Sequence, residues 1–133
     1  MRVADYSGTP LWKKLGYKPG MNVAILNGPP HYAALVERCP DTISFTRSSK
    51  HADAIHLFIT EAKELKAIAG HALAMPPVTM LWVSWPKLTS KLSTGLREDD
   101  IRKAALACGL VDIKVCAVDA DWSGLKLVRR KAP

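Results

Sequence analysis

Short apolar runs alternate along the chain with stretches in which apolar residues recur at helical spacing. Val23, Ala24, Ile25 and Leu26 lie between Lys18-Pro19-Gly20 and Asn27-Gly28-Pro29-Pro30. An apolar run of that length, bounded by turn residues, predicts a strand covered on both faces, as central parallel strands are. Tyr32, Leu35 and Val36 then recur at helical spacing, and Pro30 suits a first helical position because its missing N–H would have no partner there. A helix from about Pro30 to Arg38, ending before Pro40, is expected. Upstream, Thr9-Pro10 reads as an N-cap followed by proline, with Leu11, Trp12 and Leu15 on one helical face and Gly16 as the stop.

Ile43 to Thr46 and Ala54 to Ile59 predict a second and a third strand, separated only by Arg47 to Asp53. A parallel return usually needs a dozen or more residues. The link is therefore either a tight extended return or the sign of an irregular edge strand, and the direction of the second strand stays open. Thr60 is placed as N-cap of a helix over Glu61 to Ala74, whose Ala62, Leu65, Ile68, Ala69, Ala72 and Leu73 form an apolar stripe. Val78 to Ser84 is the strongest strand signal. After a polar loop from Trp85 to Leu96, Glu98, Asp99 and Asp100 open a helix through Cys108, closed by Gly109. Val111 to Val118 alternates, Leu125 to Arg130 is a further extended run, and Asp119 to Gly124 between them reads as a hairpin loop.

These β-α units followed by a hairpin predict a three-layer α/β sandwich with a mostly parallel, Rossmann-like sheet and a C-terminal antiparallel hairpin. With 133 residues, one domain over 1–133 is expected. In open α/β sheets ligands bind beyond the carboxyl ends of the strands, where a helix N-terminus offers amide donors. The segment from Met21 to Tyr32 is thus the expected centre of any site.

Composition narrows the classes. With 48% hydrophobic and 23% charged residues the chain is ordinary for a globular protein, which argues against disorder. The apolar run from Val78 to Trp85 falls far short of the roughly 20 residues that span a bilayer, and MRVADYSGTP carries no apolar signal region. Cys39, Cys108 and Cys116 form no C-x-x-C pair, which fits a reducing cytoplasm better than a disulfide framework. The net charge of +7 makes an anionic partner worth weighing. The basic residues are scattered, however, apart from the run Arg129 to Lys131, and none is interleaved with stacking aromatics, so nucleic-acid binding is disfavoured.

The order of elements, with KPGMNVAILNG, DAIHLFIT, LWVSWPK and a last helix leading into a hairpin, resembles a shortened S-adenosylmethionine-dependent methyltransferase fold. More specifically, YSGTPLWKKLGYKPG, LWVSWPK and IKVCAVDADWSGLKLV resemble a family of small bacterial proteins known only as a domain of unknown function. That resemblance implies a fold and a bacterial source without an assigned activity. The methyltransferase resemblance implies a glycine-rich turn after the first strand and an acid at the end of the second, holding the ribose hydroxyls. Here the turn holds Gly28 and two prolines, which lack amide donors, and the second strand ends Thr46-Arg47. Arginine cannot accept hydrogen bonds from ribose hydroxyls. No cofactor is therefore expected, adenosylmethionine being disfavoured.

The predicted rim would gather Asn27, Gly28, His31, Thr60, Ser84, Trp85, Lys87, Asp119, Asp121, Trp122 and Ser123. Each has a structural alternative: His31 in a solvated helical turn, Asp119 and Asp121 as turn formers. His56 reads as a hydrogen-bonded core residue, Trp82 as core, and no histidine pair has the i, i+4 spacing of a helical zinc site, so no metal is expected. Trp85 and Trp122, from separate loops beside Lys87, suggest an aromatic-walled pocket. The leading expectation is a noncatalytic binding module taking a small anionic ligand. The alternatives are a divergent adenosylmethionine-dependent methyltransferase, or a module that docks a protein partner, a second copy of itself, or RNA.

Overall fold

The computed structural model describes residues 8–130. The start of the first resembling motif, the N-terminal residues in which no signal region is expected, and the Lys131 end of the basic run lie outside the described residues. Six strands form one sheet in the order β2-β1-β3-β4-β6-β5: β1 (Asn22–Leu26), β2 (Ser44–Thr46), β3 (Ala54–Phe58), β4 (Met80–Pro86), β5 (Leu110–Ala117) and β6 (Trp122–Arg129). β2, β1, β3 and β4 are mutually parallel neighbours, and β6 runs antiparallel to both β4 and β5. This is the expected parallel sheet with a closing hairpin.

The second strand is parallel, pairing Asn22 with Ser44 and Ala24 with Thr46. A three-residue strand advances only about 10 Å, so the short segment after it returns to the start of β3 without a crossover helix. Asp53 closes that return: its backbone N–H donates to the Asn22 carbonyl at 2.8 Å, and its carboxylate accepts from the Asn22 N–H at 2.8 Å.

Strand alternation divides the core into two faces. Ala24, Ile55, Leu57, Leu81, Val83, Leu125 and Leu127 face α3 (Lys66–Ala74) and α4 (Glu98–Ala107), meeting Ile68, Ala72, Ile101 and Ala105. Val23, Phe58, Met80, Trp82 and Trp122 face the other way, toward α1 (Leu11–Lys14) and α2 (Tyr32–Leu35), where Leu15, Tyr32 and Val36 cover them. The indole of Trp82 is fully buried and donates to the Leu15 carbonyl at 2.8 Å, which satisfies its polar atom and fastens the end of α1 to β4.

Several element boundaries differ from the sequence reading. The helix expected over Pro30 to Arg38 is the single turn Tyr32–Leu35. Pro29 and Pro30 are spent on the turn, and Arg38 adopts a left-handed conformation at φ 67° before Pro40, so neither end can extend. Pro10, rather than Thr9, occupies the N-cap position of α1. The third helix opens as a 3₁₀ turn over Ala62–Leu65 capped at Glu61, and the Glu64 carboxylate reaches back to the N–H groups of Thr60 and Glu61 at 2.9 and 3.0 Å. Of its expected stripe, Ile68 and Ala72 are buried while Leu73 is exposed. Val78 is exposed ahead of β4, an irregularity between Asp112 and Lys114 leaves Ile113 out of the β5–β6 pairing, and Ile113 and Val115 are exposed on this edge strand. No helix among the described residues is long and apolar enough to cross a membrane.

Candidate functional site

From β1 the chain passes outward to β2 and then returns across β1 to β3. The loops leaving the carboxyl ends of β1 and β3 therefore diverge, which opens a crevice of the kind that binds ligands in α/β sheets. A cleft of about 570 Å³ stands there, lined by Ile25, Leu26, Asn27, Gly28, Pro29, Pro30 and Arg47. Asn27 takes a left-handed conformation at φ 58°, a state its short polar side chain tolerates better than most. Gly28 follows where space is tightest: a Cβ on it would come 2.6 Å from Ile25 Cγ2. An adjoining groove of about 460 Å³ shares Ile25 and Arg47 and is floored by Tyr32, Val36 and Phe45.

At the same rim, the turn after β1 meets the tip of the β5–β6 hairpin. His31 Nε2 and an Asp119 carboxylate oxygen are 2.8 Å apart across a separation of 88 residues. The other Asp119 oxygen accepts the N–H groups of Asp121 and Trp122, both at 2.8 Å. Partial burial opposes ionisation of Asp119, but the hydrogen bonds from His31 and the two amides outweigh it and hold the carboxyl below its ordinary range. Asp119 thus forms the hairpin turn with one oxygen and orients His31 with the other. An ionised carboxylate can only accept, so His31 Nε2–H is the donor of this contact and the ring is held by it.

The other candidates are distributed differently from the single rim expected. Asn27 and Gly28 line the main cleft. Trp85, Lys87 and Ser123 line a separate cleft of about 650 Å³ with Arg97 and Asp99, where Arg102 is committed to Glu98, Asp99 and Asp112. Trp122 is buried against Phe58, ring centroids 5.0 Å apart, and Trp85 is buried on the opposite face of the sheet. The two indoles therefore do not wall one pocket. The physical reason is register: Ser123 lies opposite Trp85 and Trp122 opposite Pro86, and a one-residue offset in a strand reverses the face.

Ser84, expected at the rim, lies in the core. It contacts His56 Nε2 at 2.7 Å, while His56 Nδ1 is 2.9 Å from the Tyr32 hydroxyl, itself 2.8 Å from that of Tyr17. His56 is fully buried, and burial pushes its pKa down to about 3, so the ring is neutral. Burial raises both phenols above their ordinary range. One consistent proton arrangement runs from Tyr17 O–H to Tyr32 to His56 Nδ1, with Nε2–H donating to Ser84. The network satisfies the buried polar groups of Tyr17, His56 and Ser84, and Tyr32 ties it to the floor of the adjoining groove. Alternation within Ala54 to Ile59 places His56 on the face of Phe58, but its three partners come from remote segments that no local pattern connects.

No family model matches the chain, and no curated protein matches it. Solved structures do. A protein of Sulfolobus solfataricus, provisionally assigned as a type 11 methyltransferase, aligns over 98% of this chain and 95% of its own, with a TM-score of 0.57 and 12% identity. Magnesium protoporphyrin IX methyltransferase from Synechocystis, with bound S-adenosylmethionine, aligns over 92% of this chain and 76% of its own at TM-score 0.58 and 16% identity. A Streptococcus agalactiae protein of the NADB-Rossmann superfamily aligns over 100% and 71%, at TM-score 0.54 and 14% identity. At such identities the likeness establishes the fold: a Rossmann-like, methyltransferase-like α/β sheet in shortened form.

These likenesses correct two expectations. The noncatalytic module without an adenosylmethionine motif gives way to the methyltransferase alternative, because structures of this fold contain S-adenosylmethionine or S-adenosylhomocysteine. The expectation of no cofactor falls for the same reason. The two prolines remove donors without closing the turn, over which the cleft of about 570 Å³ stands. What it lacks is a ribose-binding acid, since none of its lining residues carries a carboxylate.

Proposed function

We propose that the chain is a divergent adenosylmethionine-dependent methyltransferase whose cofactor cleft lies over Asn27 to Pro30. The observation that carries the reading is the coincidence of that cleft with the switch point of a sheet whose fold is shared with methyltransferases. Bound adenosylmethionine supplies an electrophilic methyl group. The protein's part is to seat the ligand against the backbone of Asn27 and Gly28 and to present a proton acceptor: His31, aligned by Asp119, is the group at this rim suited to deprotonating a methyl acceptor. The motifs over Tyr6 to Gly20, Leu81 to Lys87 and Ile113 to Val128 support, on sequence alone, a kinship with the small bacterial family of unassigned activity that they resemble.

Calorimetric titration with S-adenosylhomocysteine tests the proposal, because a methyltransferase binds its product. A one-site isotherm is expected. Absence of binding up to about 1 mM, equivalent to a binding free energy weaker than about −4 kcal/mol, overturns the reading.

A further inference from the structure

We infer that the cleft over β1 selects adenosine ligands that carry a phosphate on the 2′ or 3′ position of the ribose, with Arg47 as the group that reads it. The inference rests only on that part of the proposed function which seats an adenosine in this cleft, and goes beyond it in naming a ligand class that adenosylmethionine does not belong to.

Position comes first. Thr46 ends β2 opposite Ala24, so Arg47 emerges beside Ile25, one strand spacing from the segment that turns at Asn27 and Gly28. It lines both the cleft and the adjoining apolar groove. The segment after it is held by its own hydroxyls: Thr46 Oγ1 donates to the Ser48 carbonyl at 3.0 Å, and the Lys50 N–H donates to Ser48 Oγ at 3.2 Å. In nucleotide-binding sheets of this kind the ribose edge is read about 20 residues past the first turn. An acid there accepts hydrogen bonds from a free hydroxyl, and an arginine accommodates a phosphate in its place. Arg47 stands at that distance from Gly28 in this sequence.

Charge comes second. Arg102 shows what a committed arginine looks like here, with three carboxylates around it. Arg47 has no ion pair among the described residues; no lining residue of the main cleft is acidic, and the adjoining groove that it also lines carries Glu37 next to Arg38. A planar guanidinium with five donors and no carboxylate paired to it suits two parallel hydrogen bonds to a phosphate and offers nothing to a ribose hydroxyl proton. The neighbouring groove, with Ile25, Val36 and Phe45 along it, supplies the apolar surface that a purine face requires.

The whole 133-residue chain, at about 0.15 M salt to suppress diffuse charge effects, is titrated with adenosine, its 2′-, 3′- and 5′-monophosphates, and inorganic phosphate. The 2′- or the 3′-monophosphate should bind at least about tenfold more tightly than adenosine and the 5′-monophosphate; which of the two leads identifies the position read. Arg47→Met should abolish the advantage, and Arg47→Lys should keep part of it as a point charge. Because Arg47 is exposed, thermal melts of both variants should match the parent. Equal affinity for all three monophosphates, an advantage that survives Arg47→Met, or no nucleotide binding overturns the inference. S-adenosylhomocysteine binding without a phosphate advantage overturns it and spares the methyltransferase reading; the reverse result overturns that reading and spares this one.

Discussion

His56 makes the stability of this fold depend on pH in a calculable way. It is fully buried and neutral, held between Ser84 and Tyr32. Its ordinary pKa is about 6.5, and burial pushes it down to about 3 in the folded protein. Between those values the unfolded chain binds a proton that the folded chain does not, so stability rises with pH and is lost as pH falls through the window. At pH 5 the loss relative to pH 7.5 comes to about 2 kcal/mol. His71, half-buried and also shifted downward by burial, acts with the same sign. The carboxyls of Glu64 and Asp119, held below their ordinary range, give up their contributions only at lower pH. The informative quantity is therefore a difference. Urea unfolding followed by tryptophan fluorescence, at pH 7.5 and pH 5, is compared between the parent and His56→Gln, which stays neutral and can still hydrogen-bond. The parent should lose about 2 kcal/mol more than the variant. Equal losses would refute the buried neutral imidazole.

Two further outcomes distinguish packing from binding. Trp122→Ala should cost about 3–5 kcal/mol in urea unfolding, because it empties the site beside Phe58; an unchanged unfolding midpoint would contradict its burial. Gly28→Ala would set a Cβ 2.6 Å from Ile25 Cγ2, so a cost of about 1–3 kcal/mol is expected, together with weaker S-adenosylhomocysteine binding in the same calorimetric assay. A variant as stable as the parent would show that Ile25 moves freely.

The sequence by itself determined the sheet-and-hairpin plan, because apolar runs such as Val23 to Leu26 and Ala54 to Ile59 bury on two faces as central strands, and the helical stripe expected over Glu61 to Ala74 was there to be read, although only Ile68 and Ala72 of it are fully buried in the helix Lys66–Ala74. It also put the cleft at the turn after the first strand, since Asn27-Gly28-Pro29-Pro30 leaves the chain little else to do there. What tertiary structure alone decided is which side chains meet. His31 finds Asp119 88 residues away, and Tyr17, Tyr32, His56 and Ser84 converge from four segments. Trp85 and Trp122, near neighbours across the β4–β6 ladder, point to opposite faces through a one-residue offset. Local periodicity states how a segment is buried, but pairing register and strand order are set by the whole sheet, and a single step of register exchanges core for surface at every position.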